Sequence, residues 1–493
     1  MLFNSYIFVF LFFPLVVAGY YWLHHKKLER AALGYLVLMS LVFYGYNCIG
    51  DVVVLAHLFI LAAGILINYL VAGLMEKARG AAGRRMLLLL GLLYNLGVLF
   101  YFKYYDFFID NVNAVFKTDY HLLKLALPLG ISFYTFQQLS FVIDSYRRDC
   151  ARYSLLEYAA YVSFFPQLIA GPIVYHDELI PQLRAEKNHR IQYENLCKGI
   201  YAFALGMAKK VLIADTLSKI VTAGYSNVGE LNSVSALLVM VCYSLQIYFD
   251  FSGYCDMACG IGYMFNVELP VNFNSPYKAA SVREFWDRWH MTLTRFFTRY
   301  IYIPLGGSRR GTVRTYGNVL LVFLVSGIWH GANWTFILWG VINGLGNLFD
   351  RLFDRVLQRI PHMVRVAVTF CFCTLAWAMF RADSVEQGLQ MIGSLRVAGD
   401  ARLCVEITEP FHQILEVRML GRLGLGPLMQ AQPWVMPAAF AAVLVLACLL
   451  MRNTQEKVKD GRYGPGRILA TVGLLIWSIL SLSEVSEFLY FNF

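Results

Sequence analysis

One histidine of this chain of 493 residues ends an apolar segment, in the sequence Ser326-Gly-Ile-Trp-His330-Gly-Ala-Asn-Trp334. An imidazole has a pKa near 6.5, so it can take and return a proton at neutral pH. A histidine within a membrane segment is a candidate functional residue by default. His330 is therefore a candidate general base, and the alternative is a structural histidine that is hydrogen-bonded in a polar core.

Two carboxylates lie in another apolar segment, residues 246–260, at Asp250 and Asp256. A charged side chain at the centre of a bilayer costs roughly 2.5–3.5 kcal/mol on insertion scales, so neither carboxylate is expected to face lipid. Either each one is satisfied by backbone or basic groups inside a helix bundle, or the pair lines a substrate tunnel. Residues 132–146 carry Gln137, Gln138 and Asp144 and have the same two interpretations.

Basic residues follow in a stretch that also contains His290. Ser281 and Glu284 form a capping box, which predicts that a helix begins there. An aromatic face beside a basic one predicts that this helix lies in the membrane interface. Its bases, Arg288 among them, suit the phosphates of an acyl-CoA, as do Arg309 and Arg310 in the loop of residues 304–311. Anionic lipid headgroups are the competing ligand.

The elements that hold these residues follow from composition. Hydrophobic residues make up 58% of the chain, charged residues 15%, and the mean hydropathy is +0.54. A soluble protein has about 25% charged residues, so the deficit indicates a surface that faces lipid. Apolar runs at residues 6–23, 31–46, 52–74 and 86–102 suffice, or nearly so, for helices across about 30 Å of hydrocarbon. The chain is predicted to be an all-α polytopic membrane protein.

The net charge of +10 comes from short clusters of Lys and Arg between the apolar runs. This distribution is typical of cytoplasmic loops and argues against a nucleic-acid partner. The clusters at residues 26–30, 77–85 and 147–152 place the N-terminus outside the cytoplasm, with the first helix retained rather than cleaved as a signal peptide. The clusters at residues 283–314, 351–365 and 452–467 continue the alternation and place the C-terminus outside too.

The later spans are expected to be a helical hairpin over residues 317–349 and single spans over residues 366–380, 435–451 and 468–482. Two prolines and a glycine in residues 164–172 predict a broken, re-entrant segment, because irregular backbone at membrane depth must be buried in protein or line a cavity. About eleven or twelve crossings result. The cysteines and histidines show no metal-type spacing, so no metal is expected.

Five long motifs occur in order over residues 132–340: SFYTFQQLSFVIDSYR, FFPQLIAGPI, YFDFSGYCDMACGIGYMF, PVNFNSPYKAASVREFWDRWHMTLTRFFTRYIYIPLGG and SGIWHGANWTFILWG. They resemble the membrane-bound O-acyltransferase family, in the bacterial branch of alginate O-acetyltransferase AlgI and the teichoic-acid D-alanylation protein DltB. The resemblance implies one domain over residues 1–493, with N-terminal helices (1–122), a catalytic core (123–350) and C-terminal helices (351–493). Interfacial and re-entrant helices would surround a central tunnel.

The resemblance also implies a reaction. The characteristic catalytic histidine of the family falls on His330, as general base, and its second histidine on His290. His290, or Asn333 nearby, would orient that base or stabilise an oxyanion. The donor would be cytoplasmic acetyl-CoA, and the acceptor an exported polysaccharide served by a periplasmic SGNH-type acetyltransferase. D-alanine from a carrier protein is the donor of the DltB-like alternative.

The chain ends in Phe488-Leu-Tyr490-Phe-Asn-Phe493, which resembles the C-terminal aromatic motif of the small partner peptide of the D-alanylation system. The resemblance implies that Tyr490 relays an acyl group, and an interfacial aromatic anchor is the alternative.

Two other functions compete with an acyltransferase in the bacterial inner membrane. A transporter or flippase of a lipid-linked substrate would use the polar groups to line its path, but it would be expected to show paired broken helices in two halves. A structural scaffold in a secretion complex leaves His330 without a role. Alginate, cellulose and peptidoglycan are equally compatible with the sequence as the final acceptor.

Overall fold

The computed structural model describes residues 1–46, 52–399, 405–461, 463–482 and 489, and every regular element in these ranges is a helix. The prediction of an all-α protein is therefore confirmed. The chain divides into two compact units. Unit 1 comprises Met1–Leu205, Tyr254–Val271 and Asp460–Val485, and unit 2 comprises Gly206–Gly253, Asn272–Lys459 and Ser486–Phe493. The single domain over residues 1–493 stays a prediction.

Unit 1 contains most of the long lipid-facing helices. Its α-helices are Phe13–His25, Glu29–Gly45, Val52–Lys77, Ala81–Leu99, Tyr105–Phe116, Ile131–Arg147, Leu155–Ser163, Phe165–Leu168, His176–Arg184 and Pro465–Leu480. Two further helices, Tyr193–Ala208 and Ser233–Met264, contribute residues to both units. Short π-helical stretches at Phe8–Phe12 and Phe100–Tyr104 extend their neighbours without a break.

Three helices of unit 1 are joined by amide side chains where hydrocarbon would be expected. Asn68 Nδ2 donates to Asn95 Oδ1 over 3.1 Å and to Gln138 Oε1 over 2.8 Å, and Asn95 Nδ2 donates to Asn68 Oδ1 over 2.6 Å. Polar side chains and small residues hold membrane helices together. A Cβ at Gly91 would lie 2.9 Å from Val142, so this glycine sets how closely its helix approaches the next. The first of the two predicted interpretations of Gln138, a polar side chain that is satisfied inside the helix bundle, accounts for this hydrogen bond.

Unit 2 carries the histidines of interest. Its α-helices are Asp215–Ser226, Val282–Arg288, Met291–Phe297, Thr312–His330, Trp334–Leu357, His362–Arg381, Val385–Gly393, Val405–His412, Leu415–Leu420, Gly426–Ala431, Val435–Leu450 and Thr454–Lys459. Shorter 3-10 and π-helical stretches lie at Lys209–Ala214, Val228–Glu230, Pro276–Lys278, Thr298–Tyr302, Ser394–Arg396 and Gly421–Leu425.

Among the described residues, six helices are long and apolar enough to cross a membrane: Phe8–His25, Leu55–Lys77, Ala81–Phe116, Ser233–Met264, Thr312–His330 and His362–Arg381. A pair bent by 105°, Leu415–Ala431 with Val435–Leu450, adds a seventh if it counts as one span. The predicted eleven or twelve crossings exceed this number. At the spans predicted for residues 31–46 and 468–482, the helices Glu29–Gly45 (17 residues) and Pro465–Leu480 (16 residues) are shorter than any of these six.

These spans differ in their surroundings. In Ala81–Phe116, 17% of the most apolar window is buried inside the protein, whereas in Ser233–Met264 the share is 83%. The span Ala81–Phe116 therefore presents most of its surface to lipid, and the span Ser233–Met264 is enclosed by other helices. Asp250 and Asp256 both lie on the enclosed helix, where a carboxylate can be satisfied by protein groups.

The predicted break in residues 164–172 is confirmed. The helix Leu155–Ser163 starts from a capping box formed by Ser154 and Glu157, and Phe165–Leu168 is a single separate turn. The chain then runs without helix, fully buried, to His176–Arg184. A Cβ at Gly171 would lie 2.4 Å from Gln167 Cα, so only glycine fits this turn. Burial of the irregular backbone agrees with the rule for membrane proteins, and the re-entrant path stays a prediction.

Candidate active site

His330 is the last residue of the helix Thr312–His330, the first arm of the predicted helical hairpin, whose second arm is Trp334–Leu357. The two arms pack backbone to backbone, since a Cβ at Gly340 would lie 2.5 Å from the carbonyl oxygen of Phe323. At Gly331 a Cβ would lie 2.1 Å from the ring of Phe336. Glycine after the histidine therefore lets the ring of the second arm close against the turn.

Aromatic rings enclose the His330 imidazole, and the residue is 3% exposed. The ring centroids of Trp329, Trp339 and Phe380 lie 4.9, 5.1 and 5.2 Å from that of His330. The planes of Trp339 and Phe380 stand at 88° and 77° to the imidazole, which are edge-to-face contacts. Such packing restricts rotation of the imidazole and keeps bulk water away, which strengthens electrostatic interactions at this nitrogen base.

Asn333 belongs to the same turn. Its Oδ1 accepts a hydrogen bond from the Thr335 N–H over 3.1 Å and caps the second arm, while Nδ2 donates to the Asp383 carbonyl over 2.9 Å. The amide therefore fixes the turn that follows His330 and ties it to the end of the helix His362–Arg381. Its predicted part in orienting the base stays a prediction.

His290 lies between two short helices, Val282–Arg288 and Met291–Phe297, with a left-handed backbone at φ 44°. The structure thus differs from the single amphipathic helix expected here. Ser281 does cap the first helix, accepting from Glu284 N–H over 3.0 Å, but the chain turns at His290. The aromatic residues of this stretch, including Trp289, are buried inside the unit rather than presented to headgroups. A continuous helix could not place these aromatic rings inside the unit and also turn at His290.

One amide fixes the tautomer of His290. Asn272 Oδ1 accepts from the Thr292 N–H over 3.2 Å and from its hydroxyl over 2.9 Å, and it lies 3.1 Å from His290 Nδ1. A backbone N–H can only donate, so the shared atom is the amide oxygen, and Nδ1 of His290 carries the proton. Complete burial lowers the pKa of His290 to about 3, so at neutral pH it is neutral, with a lone pair at Nε2.

The two predicted histidines share one neighbour. The Trp329 ring centroid lies 6.1 Å from that of His290 and 4.9 Å from that of His330. Neither Trp329 nor Asn272 was predicted as a site residue. Trp329 lies next to His330 in one motif, and Asn272 lies in the motif that contains His290, but adjacency alone gives no role.

Asp250 has a cationic partner. Its Oδ1 lies 2.6 Å from Lys210 Nζ, which also contacts Asp215 Oδ1 at 2.8 Å, and its Oδ2 accepts from the Leu489 N–H over 3.0 Å. The side chains of Lys210 and Asp250 are 4% and 2% exposed. The first of the two readings of Asp250, a carboxylate satisfied inside the bundle, accounts for these contacts. Asp256 lies in unit 1 and is also buried.

The candidate donor-binding arginines fall into two groups. Arg288 pairs with Glu284 at 2.8 Å and donates to the Asn274 carbonyl over 3.2 Å, so it is held within the protein. Arg309 and Arg310 are exposed in a loop with positive φ at Gly306, Gly307 and Gly311. This second group is available to an anionic ligand. Tyr490 lies outside the described residues, although its neighbour Leu489 is described.

Within the described part of the chain, no group of three or more His, Cys, Asp or Glu side chains is placed to hold a metal ion. The site as described offers a proton acceptor in a rigid, largely dry setting. That chemistry suits deprotonation of a hydroxyl as it attacks an acyl carbon.

Comparison with known proteins gives one family. The model of MBOAT, the membrane-bound O-acyltransferase family, matches residues 111–381, which include both His290 and His330. A peptidoglycan O-acetyltransferase of Helicobacter pylori is 36% identical over 528 aligned positions, covering 100% of this chain and 98% of the relative. A probable alginate O-acetylase AlgI of Pseudomonas aeruginosa is 37% identical, covering 79% of this chain and 74% of the relative. A teichoic acid D-alanyltransferase of Bacillus subtilis is 25% identical over 51% of the chain.

Proposed function

This chain belongs to the membrane-bound O-acyltransferase family, a family of multi-pass membrane enzymes, and on that premise we propose that it supplies acetyl groups for O-acetylation of a cell-envelope glycan. The observation that carries the proposal is the enclosed His330 within the matched region, in a chain aligned end to end with a peptidoglycan O-acetyltransferase. Peptidoglycan is therefore the first acceptor to test, ahead of alginate, whose relatives match a smaller share of the chain.

We propose acetyl-CoA in the cytoplasm as the donor. The exposed Arg309 and Arg310 and the glycine-rich backbone beside them suit the phosphates of coenzyme A. The cytoplasmic position of this loop rests on the alternation of basic clusters, which also puts both termini outside the inner membrane. A periplasmic SGNH-type acetyltransferase would complete the transfer to the glycan.

In the proposed reaction, His330 accepts the proton of a hydroxyl while its oxygen attacks the thioester carbonyl. The tetrahedral intermediate collapses with cleavage of the carbon–sulfur bond, and the departing thiolate takes the proton from the imidazolium. Because the single proton of the reacting hydroxyl goes to His330, His290 orients the acceptor by receiving a hydrogen bond at Nε2 from another donor group of that molecule. In this tautomer it does not donate to the oxyanion.

Tyr490 is proposed as the hydroxyl that receives the acetyl group first and passes it to the partner enzyme. Next to Tyr490, the Leu489 N–H donates a hydrogen bond to Asp250, and this contact supports the proposal. The alternative, an aromatic anchor at the interface, predicts that Tyr490→Phe keeps full activity.

The test is thioester turnover by the purified protein in lipid nanodiscs with radiolabelled acetyl-CoA, comparing the wild type with His330→Ala and His330→Gln. General-base catalysis is worth about 10²–10⁴-fold, and we expect a loss of that size in both variants. His362→Ala, at an exposed histidine of the same unit, is the matched control. Full turnover in folded His330→Ala, or movement of a lipid-linked glycan without thioester cleavage, would replace the proposal with the transporter hypothesis.

A further inference from the structure

A second cluster of reactive side chains lies in unit 1, outside the site described above. The helix Ile131–Arg147 brings Asp144, the following loop brings Cys150 and Tyr153, and the helix His176–Arg184 begins with His176. His176 Nε2 lies 3.3 Å from Asp144 Oδ2, and His176 Nδ1 lies 3.1 Å from Tyr153 Oη and 3.9 Å from Cys150 Sγ. The thiol of Cys150, the imidazole of His176 and the carboxylate of Asp144 therefore form a chain of neighbouring groups.

The three groups differ in how deeply they are buried. The side chains of Asp144 and His176 are both 0% exposed, whereas Cys150 is partly exposed. The rings of Phe141 and Tyr161 pack against the imidazole, with centroids 5.7 and 6.3 Å away. A partly exposed sulfur beside a buried base is typical of a reactive cysteine, because the sulfur must contact its reactant while the base is held in place away from bulk water.

The charges around the imidazole favour its protonated form. Burial, the largest influence, lowers the pKa of His176, but hydrogen bonds to Asp144 and Cys150, with the charge of Asp177, raise it to about 9. Burial raises the pKa of Tyr153 to about 12, so the phenol keeps its proton and orients the ring. Two ion pairs also lie nearby: Arg184, stacked on Tyr153, bonds to Glu157, and Arg152 bonds to Glu76.

We propose that Cys150 is an acyl-accepting nucleophile, activated by His176 and oriented through Asp144, which takes an acyl group from a small-molecule thioester. In the resting pair the imidazolium of His176 holds the proton of the Cys150 thiol, and the sulfur attacks the acyl carbon as a thiolate. A new carbon–sulfur bond forms at Cys150, the carbon–sulfur bond of the donor breaks, and the donor thiolate takes the proton from His176. Asp144 is a positioning residue that compensates the charge on the imidazolium.

The loop that carries Cys150 also carries Arg147, Arg148 and Arg152, whose charge predicts a cytoplasmic position. A thioester such as acetyl-CoA is found on that side of the membrane, according to the function proposed above. Only the identity of the donor rests on that function, since the activation of the thiol follows from the cluster itself.

The first experiment measures alkylation by iodoacetamide at neutral pH in the full-length protein, with each cysteine quantified by peptide mass spectrometry. The exposed Cys197, in the same unit, is the internal reference. Because the neighbouring imidazole favours loss of the thiol proton, Cys150 should react about tenfold faster than Cys197 despite its lower exposure. Equal or slower alkylation of Cys150 overturns the proposal.

Variants separate activation from simple exposure. His176→Gln should slow alkylation of Cys150 about tenfold and leave Cys197 unchanged, which also shows that the unit remains folded. Asp144→Asn should shift the pH profile of Cys150 alkylation upward, and Asp144→Glu should restore it in part. A change at both cysteines together would mean a structural effect and would count against the proposed roles.

The second experiment tests acyl transfer in the His330→Ala background, where the proposed O-acetyl transfer is blocked. Radiolabelled acetyl-CoA should label the Cys150 peptide, neutral hydroxylamine should release the label, and Cys150→Ser should abolish it. Absence of label on Cys150 alongside fast alkylation overturns acyl acceptance from this donor. Because loading does not require His330, label in this background stands even if the proposed glycan acetylation fails.

Discussion

Both candidate site histidines of unit 2, His290 and His330, pack against aromatic rings. His290 in addition contacts the Asn272 amide, which fixes the nitrogen that carries its proton. A base needs a ring whose protonation changes during the reaction, and an orienting residue needs one whose protonation stays constant. We propose the first role for His330 and the second for His290.

Removing the side-chain amide of Asn272 should therefore lower the activity, because His290 loses the contact that fixes its tautomer. Asn272→Ala leaves the Thr292 N–H and hydroxyl without this acceptor, at a cost of about 1–3 kcal/mol, and frees the imidazole to change tautomer. We expect kcat for thioester turnover to fall about tenfold, at the modest end of the range for positioning proton-transfer groups. Asn274→Ala is the control, since Asn274 Oδ1 bonds only to Asn453 Nδ2 among the hydrogen bonds described here. An unchanged kcat in folded Asn272→Ala would contradict the assigned role.

His290 also predicts a pH dependence of stability. Its pKa is about 3 in the folded protein against an ordinary value of 6.5, so between these values the unfolded chain binds more protons. Stability due to this residue is complete above pH 6.5 and falls as the pH drops toward 3, by at most about 1.4 kcal/mol per pH unit. Thermal unfolding in detergent at pH 7.5, 6 and 5 measures it. His290→Asn, which tolerates the left-handed backbone, should show a flatter profile than the wild type.

At the scale of elements, the helical hairpin Thr312–His330 and Trp334–Leu357 determines where the base lies. Its arms approach through glycines, and the turn is closed by the Asn333 cap and the ring of Phe336. Two prolines and a glycine predicted the break at residues 164–172, and the alternation of apolar and basic segments predicted this hairpin. It did not predict the turn at His290, because the aromatic pattern of residues 282–297 is compatible with one continuous helix.

Gly331→Ala should disturb this hairpin at its turn. The added Cβ would lie 2.1 Å from the Phe336 ring, so the ring or the turn must shift, which costs about 1–3 kcal/mol for an overpacked site. We expect a lower unfolding temperature together with a loss of turnover, since His330 is the preceding residue. Gly317 lies in the helix that ends at His330, and a Cβ added there would meet open space. Gly317→Ala should therefore be neutral or slightly stabilising. If the two substitutions behave alike, the close contact at Gly331 is not limiting.

At the scale of the whole molecule, composition predicted the membrane class and motif order predicted the family. The contacts of individual polar residues could not be predicted in this way. Asp250 was recognised as a carboxylate that must be satisfied, but its partner Lys210 lies in another element. His176 was not singled out at all, because only the fold brings it to Asp144. Hydrophobic periodicity shows which side of a helix is apolar but not which helices meet.

Lys210 should be essential to the stability of unit 2. Lys210→Met removes a buried cation from Asp250 and Asp215, and breaking a buried pair by removing one partner costs about 3–5 kcal/mol. The double variant Lys210→Met with Asp250→Asn should recover part of this loss in a thermal unfolding assay. Lys198→Met, which removes an ion pair to the largely exposed Glu194, should have little effect. A loss no larger than that of Lys198→Met would show that the cluster contributes nothing.

The Lys210–Asp250 pair also has a consequence for biogenesis. Lys210 is synthesised before Asp250, and both precede the hairpin that carries His330. The carboxylate can therefore meet its counter-ion as soon as the helix Ser233–Met264 leaves the translocon, without waiting for the rest of the chain. An unpaired charge at the bilayer centre opposes insertion by roughly 2.5–3.5 kcal/mol. Chain order thus lets Asp250 be neutralised before the later spans of the chain are inserted.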